Sequence, residues 1–330
     1  MISVSNILII GAGGRMGGWF FRYFKYLRSR NDGQLNEDNK KSIYNKNFIH
    51  IGKIFLVDSK KIDKIDGYKE RDVFVSTKIS DFLREANVVV FCTPTDVTIK
   101  LLHKLLDTFE LGTIIIEVSS IKSQIHKKLE SYSNHDKKFL FISIHPMFGP
   151  GALVSSTSNI ILHVPNKNSP KNRETKLVKK IFPNLEIIKI ENAASHDVLV
   201  SVMISLIYFM NLIFSKTLLD TINNYDLRSR KINLRLLKRI SGSSYKIQSV
   251  LSESILTDDA SLFVGLFLNS PKSITIIKKY GKLYNNLASK LEKRDSEYVG
   301  NFVSNIKKEI GSQIDLDASY RVLYEFLNRT

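Results

Sequence analysis

Three observations predict an α/β fold in which a Rossmann-type doubly wound parallel sheet is followed by an all-helical domain. Short Val/Ile/Phe-rich runs alternate with amphipathic stretches through the first half, a glycine cluster separates the first run from the first helical pattern, and strand-like runs stop near residue 192. Alternating strand and helix favours parallel pairing, because each crossover helix returns the chain to the same edge of the sheet. The expected division is a dinucleotide-binding domain over 1–192 and a helical domain over 193–330.

Taken in order, strands are predicted at 7–10, 53–57, 73–76, 88–92, 113–118 and 139–144, with 160–164 and 185–190 extending the same sheet. Helical periodicity occupies 15–28, 79–86, 95–109 and the region around 172–181. The polar stretch 29–47, rich in Asn, Asp and Lys, exceeds the usual connection length and reads as an excursion loop. In the second half the 3.6-residue pattern predicts helices at 198–219, 234–256, 261–268, 274–291 and 297–310.

Composition narrows the function classes. A chain of 330 residues, 43% hydrophobic and 25% charged, suffices for two packed cores. Its single cysteine, Cys92, excludes an intrachain disulfide and argues against a cysteine-based metal site, so no metal is expected and a reducing cytoplasm fits best. The first ten residues carry no basic leader, and no targeting peptide is expected.

A net charge of +17 invites a nucleic-acid reading. The basic residues are scattered through every segment, however, with no zinc-finger spacing, basic zipper or RNA-binding aromatic signature. A diffuse basic surface suited to acidic metabolites is the reading taken, without nucleic acid as partner. The apolar segment 198–214 is interrupted by Ser201, Ser205 and Asn211, short of the ~20 clean apolar residues of a membrane span, and is read as a buried helix. Its apolar excess predicts that the helical half packs against a second copy, giving a homodimer without membrane association.

The segment from Ile7 to Gly18 carries the cofactor signal. Gly11, Ala12, Gly13, Gly14, Arg15, Met16 and Gly17 lie between strand and helix, where glycine lets the backbone approach a pyrophosphate and the helix start attracts the anion. The frame Ala12, Gly14, Gly17 is preferred, because a frame from Gly11 puts Met16 at the third glycine. Asp58, ending the second strand, suits the adenosine ribose of NAD, while Lys60 and Lys61 offer charge for the 2′-phosphate of NADP. Thr93 and Pro94 end the fourth strand and are expected to border the nicotinamide, with Thr95 capping the next helix.

Two further strand ends bring polar groups to the same edge: Glu117 to Lys122, and His145 to Pro150. There a neutral imidazole can take the proton from a substrate hydroxyl as hydride leaves the same carbon, while a hydroxyl and an ammonium orient and neutralise an anionic substrate. His196 is read as a helix-start or interdomain residue, with Ser195 as the cap.

Together, Gly-Ala-Gly-Gly-Arg-Met-Gly, Ser-Ser-Ile-Lys and His-Pro-Met-Phe-Gly-Pro resemble the prephenate dehydrogenase family in order and spacing. The likeness continues through Ala194-Ser195-His196-Asp197, Ser243-Ser244-Tyr245-Lys246 and Asp259-Ala260-Ser261-Leu262-Phe263, with neither a chorismate mutase segment in front nor a regulatory domain behind. The resemblance implies that His145 deprotonates the ring hydroxyl of prephenate, Ser120 orients it and Lys122 binds carboxylates. The implied reaction is NAD(P)-dependent oxidative decarboxylation to 4-hydroxyphenylpyruvate, on the way to tyrosine.

One position departs. Where the family places a carboxylate-clamping arginine this chain has Ser254, and Lys246 stands for the arginine before it. A serine cannot make the bidentate pair of a guanidinium. Either Lys246, Arg239 or Arg235 supplies the clamp, or the substrate is arogenate or another carboxylated ring, or the chain is a non-catalytic nucleotide-binding descendant.

Overall fold

A computed structural model describes residues 4–33, 49–62, 70–135, 139–166, 173–224 and 232–328. The chain divides into two compact units, Met1–Val200 and Ser201–Thr330.

All eight expected strands join one sheet of order β3-β2-β1-β4-β5-β6-β7-β8. They are β1 (Val4–Ile10), β2 (His50–Val57), β3 (Val73–Ser76), β4 (Val88–Phe91), β5 (Ile114–Glu117), β6 (Leu140–Pro146), β7 (Ile160–Val164) and β8 (Glu186–Lys189). Pairing is parallel throughout except between β6 and β7, which run antiparallel.

Both faces are covered, which is why the central strands are apolar without alternation. Ile7, Ile9, Val88, Val90, Ile116, Ile142 and Ile144 form one core with the aromatic side of α1 (Arg15–Gly33), where Trp19, Phe20, Tyr23 and Phe24 are fully buried. Leu8, Ile10, Phe55, Val89, Phe91, Ile115 and Phe141 form the opposite core with residues of α2 (Thr95–Leu105) and α3 (Ser123–His135). The unit is completed by α4 (Arg173–Ile181) and α5 (Ala193–Val200).

Register places the site. A single rung crosses the sheet through Val57, Ile10, Phe91, Glu117 and Ser143. The residues that follow on each strand therefore emerge together at the carboxyl edge, where open α/β sheets hold their ligands.

Three local expectations are corrected. The helix predicted over 79–86 is a single 3-10 turn, Ile79–Asp81, because the Ser76 hydroxyl bonds the Asp81 carboxylate and the Lys78 amide, and such local bonds compete with helix. The helix α1 extends to Gly33, taking the first residues of the supposed excursion loop; residues 34–48 lie outside the described residues. Thr95 does not cap α2: Pro94 holds that position, and no side-chain cap bond is made.

In the second unit the described residues outside turns are helical: a π-helical turn at Ser201–Leu206, then α6 (Ile207–Asn224), α7 (Leu234–Ile240), α8 (Ser243–Ile255), α9 (Ala260–Leu268), α10 (Pro271–Glu292), α11 (Ser296–Gly311) and α12 (Leu316–Leu327). The helix expected over 234–256 is interrupted at Ser241 and Gly242, both extended. The unanticipated α12 starts at Asp315, whose carboxylate accepts from the amides of Asp317 and Ala318.

The long apolar segment is not the buried helix expected from its composition. The helical stretch Ala193–Asn224 is long and apolar enough to cross a membrane by length and composition, with mean hydropathy 2.2 over an 18-residue window of which 22% is buried. Its polar residues serve helix packing inside the unit: Asn211 Oδ1 accepts from Gln248 Nε2 and Ser252 Oγ, both at 2.7 Å, and Ser273 Oγ donates to Ser205 Oγ at 2.9 Å. Val202, Met203 and Ile213 are left exposed.

Candidate active site

The glycine turn is dictated by space. Gly11 has φ of +83°, and a Cβ there would lie 2.6 Å from the Cys92 carbonyl oxygen; one on Gly17 would lie 2.1 Å from the Gly11 carbonyl oxygen. Glycine is thus required at 11 for the turn and at 17 for close packing of α1 on β1. Ala12, first in the preferred sequence frame, is a buried core residue, and a Cβ on Gly14 would meet only the Gly11 carbonyl oxygen, at 3.2 Å.

Gly13, Gly14 and Arg15 are exposed at the start of α1, and Met16 is half-buried. Gly13 donates its amide to Asp58 Oδ2 at 3.0 Å, and Lys60 donates its amide to Asp58 Oδ1 at 3.1 Å. The carboxylate at the end of β2 thereby fixes the turn, and a Cβ on Gly13 would press on it at 3.1 Å. At the end of β4, Thr93 packs its methyl toward Gly11, and its hydroxyl lies 2.8 Å from that of Thr98. A bare backbone cradle at a helix start, beside an acidic strand end, fits a dinucleotide pyrophosphate and ribose.

At the ends of β5 and β6 lies a buried polar cluster. Glu117 Oε1 accepts from Lys122 Nζ at 2.6 Å and from the Ser143 hydroxyl, and its Oε2 accepts from the Ser119 amide at 2.9 Å. Lys122 Nζ also donates to the Ile144 carbonyl oxygen at 2.6 Å. This corrects the expectation of a carboxylate-binding cation: the Lys122 side chain is 0% exposed and its ammonium is committed to internal partners. Burial draws it below its ordinary pKa, with the Glu117 charge opposing. The hydroxyl of Ser119 is buried without a partner, and Ser120 is half-buried and makes no hydrogen bond to His145.

His145 lies on β6 itself, 4% exposed, with Nδ1 3.1 Å from His196 Nε2. His196 Nδ1 in turn lies 3.0 Å from Asp197 Oδ1. The same carboxylate accepts from the amides of Lys122 and Ser123 at 2.8 and 2.9 Å, which ties α5 to the start of α3. Burial works to raise the Asp197 carboxyl, but the hydrogen bonds from His196, Ser123 and the Lys122 amide hold it below the usual carboxylate range. Burial, with the charges of His196 and Lys122, holds His145 well below the ordinary histidine value; burial also lowers His196. In both rings burial favours the neutral form.

Sequence reasoning missed the roles of Glu117, Ser143, His196 and Asp197. The adjacent His-Asp pair was the available signal, but it was assigned to a helix start. The cap of α5 is Asn192, whose Oδ1 accepts from the Ser195 amide, so Ser195 is not the cap and His196 is free to point at His145. The His145–Pro150 segment is strapped to the glycine helix: Trp19 Nε1 donates to the Ala152 carbonyl, Arg22 to that of Pro150, and the Phe148 ring sits 4.6 Å from Trp19.

Arg239, on α7, and Lys246, on α8, are exposed on the second unit. Ser254, also on α8 and exposed, turns its hydroxyl back to the Leu251 carbonyl oxygen. Among the described residues there is no cluster of three metal-ligating side chains.

The open sheet, the glycine cradle and the acidic end of β2 define a dinucleotide-binding unit of the dehydrogenase type. Residues 46–179 match the family model described as the nucleotide-binding domain of prephenate dehydrogenase. The chain is 25% identical to a prephenate dehydrogenase of Lactococcus lactis over 233 residues, covering 68% of this chain and 60% of the relative. It is 20% identical to the T-protein of Haemophilus influenzae over 216 residues, 65% of this chain and 53% of the relative. The chain thus spans little more than half the length of these curated relatives.

In fold it is similar to prephenate dehydrogenase from Aquifex aeolicus in complex with hydroxyphenyl propionate and NAD+, with a TM-score of 0.68 and 18% identity over 94% of this chain and 98% of the other. Synechocystis arogenate dehydrogenase superposes with a TM-score of 0.62 and 15% identity, over 94% and 100%. Residues 46–179 thus resemble the nucleotide-binding domain of prephenate dehydrogenases, and the fold of the chain is similar to that of solved prephenate and arogenate dehydrogenases.

Proposed function

We propose that the protein is an NAD-dependent dehydrogenase that oxidatively decarboxylates prephenate to 4-hydroxyphenylpyruvate. The observation that carries this reading is a neutral, buried imidazole, His145, two residues beyond the rung that ends at the glycine turn. NAD held in the cradle of Gly11, Gly13 and Gly17 would supply the hydride acceptor, with Gly14, Arg15 and Met16 at the helix start and Thr93 and Pro94 at the neighbouring strand end.

His145 Nε2 takes the proton of the ring hydroxyl, Ser120 orients that hydroxyl, and carbon dioxide departs as the ring aromatises. Lys246, Arg239 and Ser254 of the second unit are the residues proposed for binding the substrate carboxylates, since Lys122 is consumed internally. Asp58 supports NAD over NADP, because a carboxylate there repels a 2′-phosphate.

The test is dinucleotide reduction with prephenate and with arogenate, each with NAD and NADP. Turnover of prephenate with NAD is expected; turnover of arogenate alone would reassign the substrate, and none with either would sink the dehydrogenase reading. His145→Asn should retain dinucleotide affinity and lose about two to four powers of ten in turnover.

The assembly proposed with this activity is a cytoplasmic homodimer, without nucleic acid or membrane as partner. It is supported by the uncovered apolar residues of the Ser201–Leu206 turn and α6.

A further inference from the structure

We propose that His196, held by Asp197, is a positioning residue that sets the tautomer of His145. The inference rests on the reading of His145 as the base and deepens it.

The hydrogen-bond directions follow from what each group can do. Asp197 is an ionised carboxylate and can only accept; two backbone amides and the Ser123 hydroxyl also donate to it. His196 Nδ1, at 3.0 Å, must therefore be the protonated nitrogen. A neutral His196 then has its lone pair on Nε2, and His145 Nδ1, at 3.1 Å, must donate to it. His145 in turn carries its lone pair on Nε2, which makes no hydrogen bond to a described residue. A base needs that nitrogen unprotonated, and the opposite tautomer would present an N–H to the substrate hydroxyl.

The array also answers the charge that catalysis creates. When Nε2 takes a proton, His145 becomes an imidazolium in a site that disfavours charge. The lysine whose charge opposes it, Lys122, is paired with Glu117 at 2.6 Å, and Asp197 is reached through the His196 ring. The ion pair screens the lysine while the relay presents a carboxylate to the new cation.

Three side chains from two elements distant in sequence are needed for this order, and the aspartate is held by the start of a third, α3. Asn192 capping α5 points the His-Asp pair at the strand end.

The test is the 15N spectrum of the histidines in the intact protein at pH 7.5, with kinetics of His196 variants. His145 is expected as a single neutral tautomer protonated on Nδ1. His196→Phe should abolish that preference, lower kcat by about tenfold to a hundredfold and leave the KM for dinucleotide unchanged. His196→Gln, whose amide oxygen can accept from Nδ1, should recover part of the loss.

A proton on Nε2 in the unsubstituted protein, a charged His145, or a His196→Phe variant with unchanged kcat and tautomer would overturn the relay. The spectrum of the unsubstituted protein decides even if a variant fails to fold. Loss of the base reading is separate: it shows as unimpaired turnover in His145→Asn, whatever the tautomer.

Discussion

Gly17 stands so close to Gly11 that a single added carbon on the first would lie 2.1 Å from the carbonyl oxygen of the second. No side-chain rotation relieves such an overlap, because both parties are backbone. Gly17→Ala must push α1 away from β1, costing about 1–3 kcal/mol as overpacking does, and should weaken dinucleotide binding at least tenfold. Gly18→Ala, with its nearest neighbour the flexible Arg22 at 3.6 Å, is the control and should be neutral or slightly stabilising. Thermal melts and a fluorescence titration with NADH distinguish them.

The Glu117–Lys122 pair gives a second prediction. Both are buried, so Lys122→Met strands a carboxylate and should destabilise the first unit by about 3–5 kcal/mol. Adding Glu117→Gln to Lys122→Met should return part of that loss. A Lys122→Met protein with unchanged stability and only a raised substrate KM would restore the role as carboxylate binder.

A third concerns acid. His163 on β7 is buried, bonds the Ser143 carbonyl through Nδ1, and is pushed by burial to about 4, with Nε2 making no hydrogen bond and lying 3.9 Å from Glu174 Oε2. Its folded value lies below its unfolded value near 6.5, so the unfolded chain binds the extra proton first. Stability from this residue is full above pH 6.5 and falls as pH drops toward 4, by on the order of 3 kcal/mol in total. Denaturant melts at pH 7.5 and 4.5 should show a smaller difference in His163→Gln than in the parent; equal differences would remove the assignment.

A fourth addresses assembly. If a second copy covers the exposed Val202 and Ile213, the protein sediments as a dimer at micromolar concentration, and Ile213→Asp yields monomers. A monomeric parent, or one soluble only in detergent, refutes this.

Legibility followed period and crowding. All eight strands were readable because they are short β-branched runs between breakers. The 79–86 helix was misread because Ser76 and Asp81 made bonds that apolar periodicity does not encode. His145 and the glycine turn belong to short local motifs, and so are legible without knowledge of the fold. The partnership of His145 with His196, fifty-one positions away, depends on where α5 begins, and that is set by Asn192, whereas the sequence reading puts the cap at Ser195. Lys122 was misjudged for the same reason: a lysine beside a strand end looks solvated until Glu117 and Ile144 are known to face it.

The shared rung from Val57 to Ser143 makes the sheet a measuring rod. Four inter-strand gaps of roughly 4.8 Å set the acidic grip at β2 some ~19 Å from the histidine strand, and hydrogen bonds keep that length constant. A ligand that engages both ends has to be about that long, so a mononucleotide can occupy one half of the edge while leaving the other untouched.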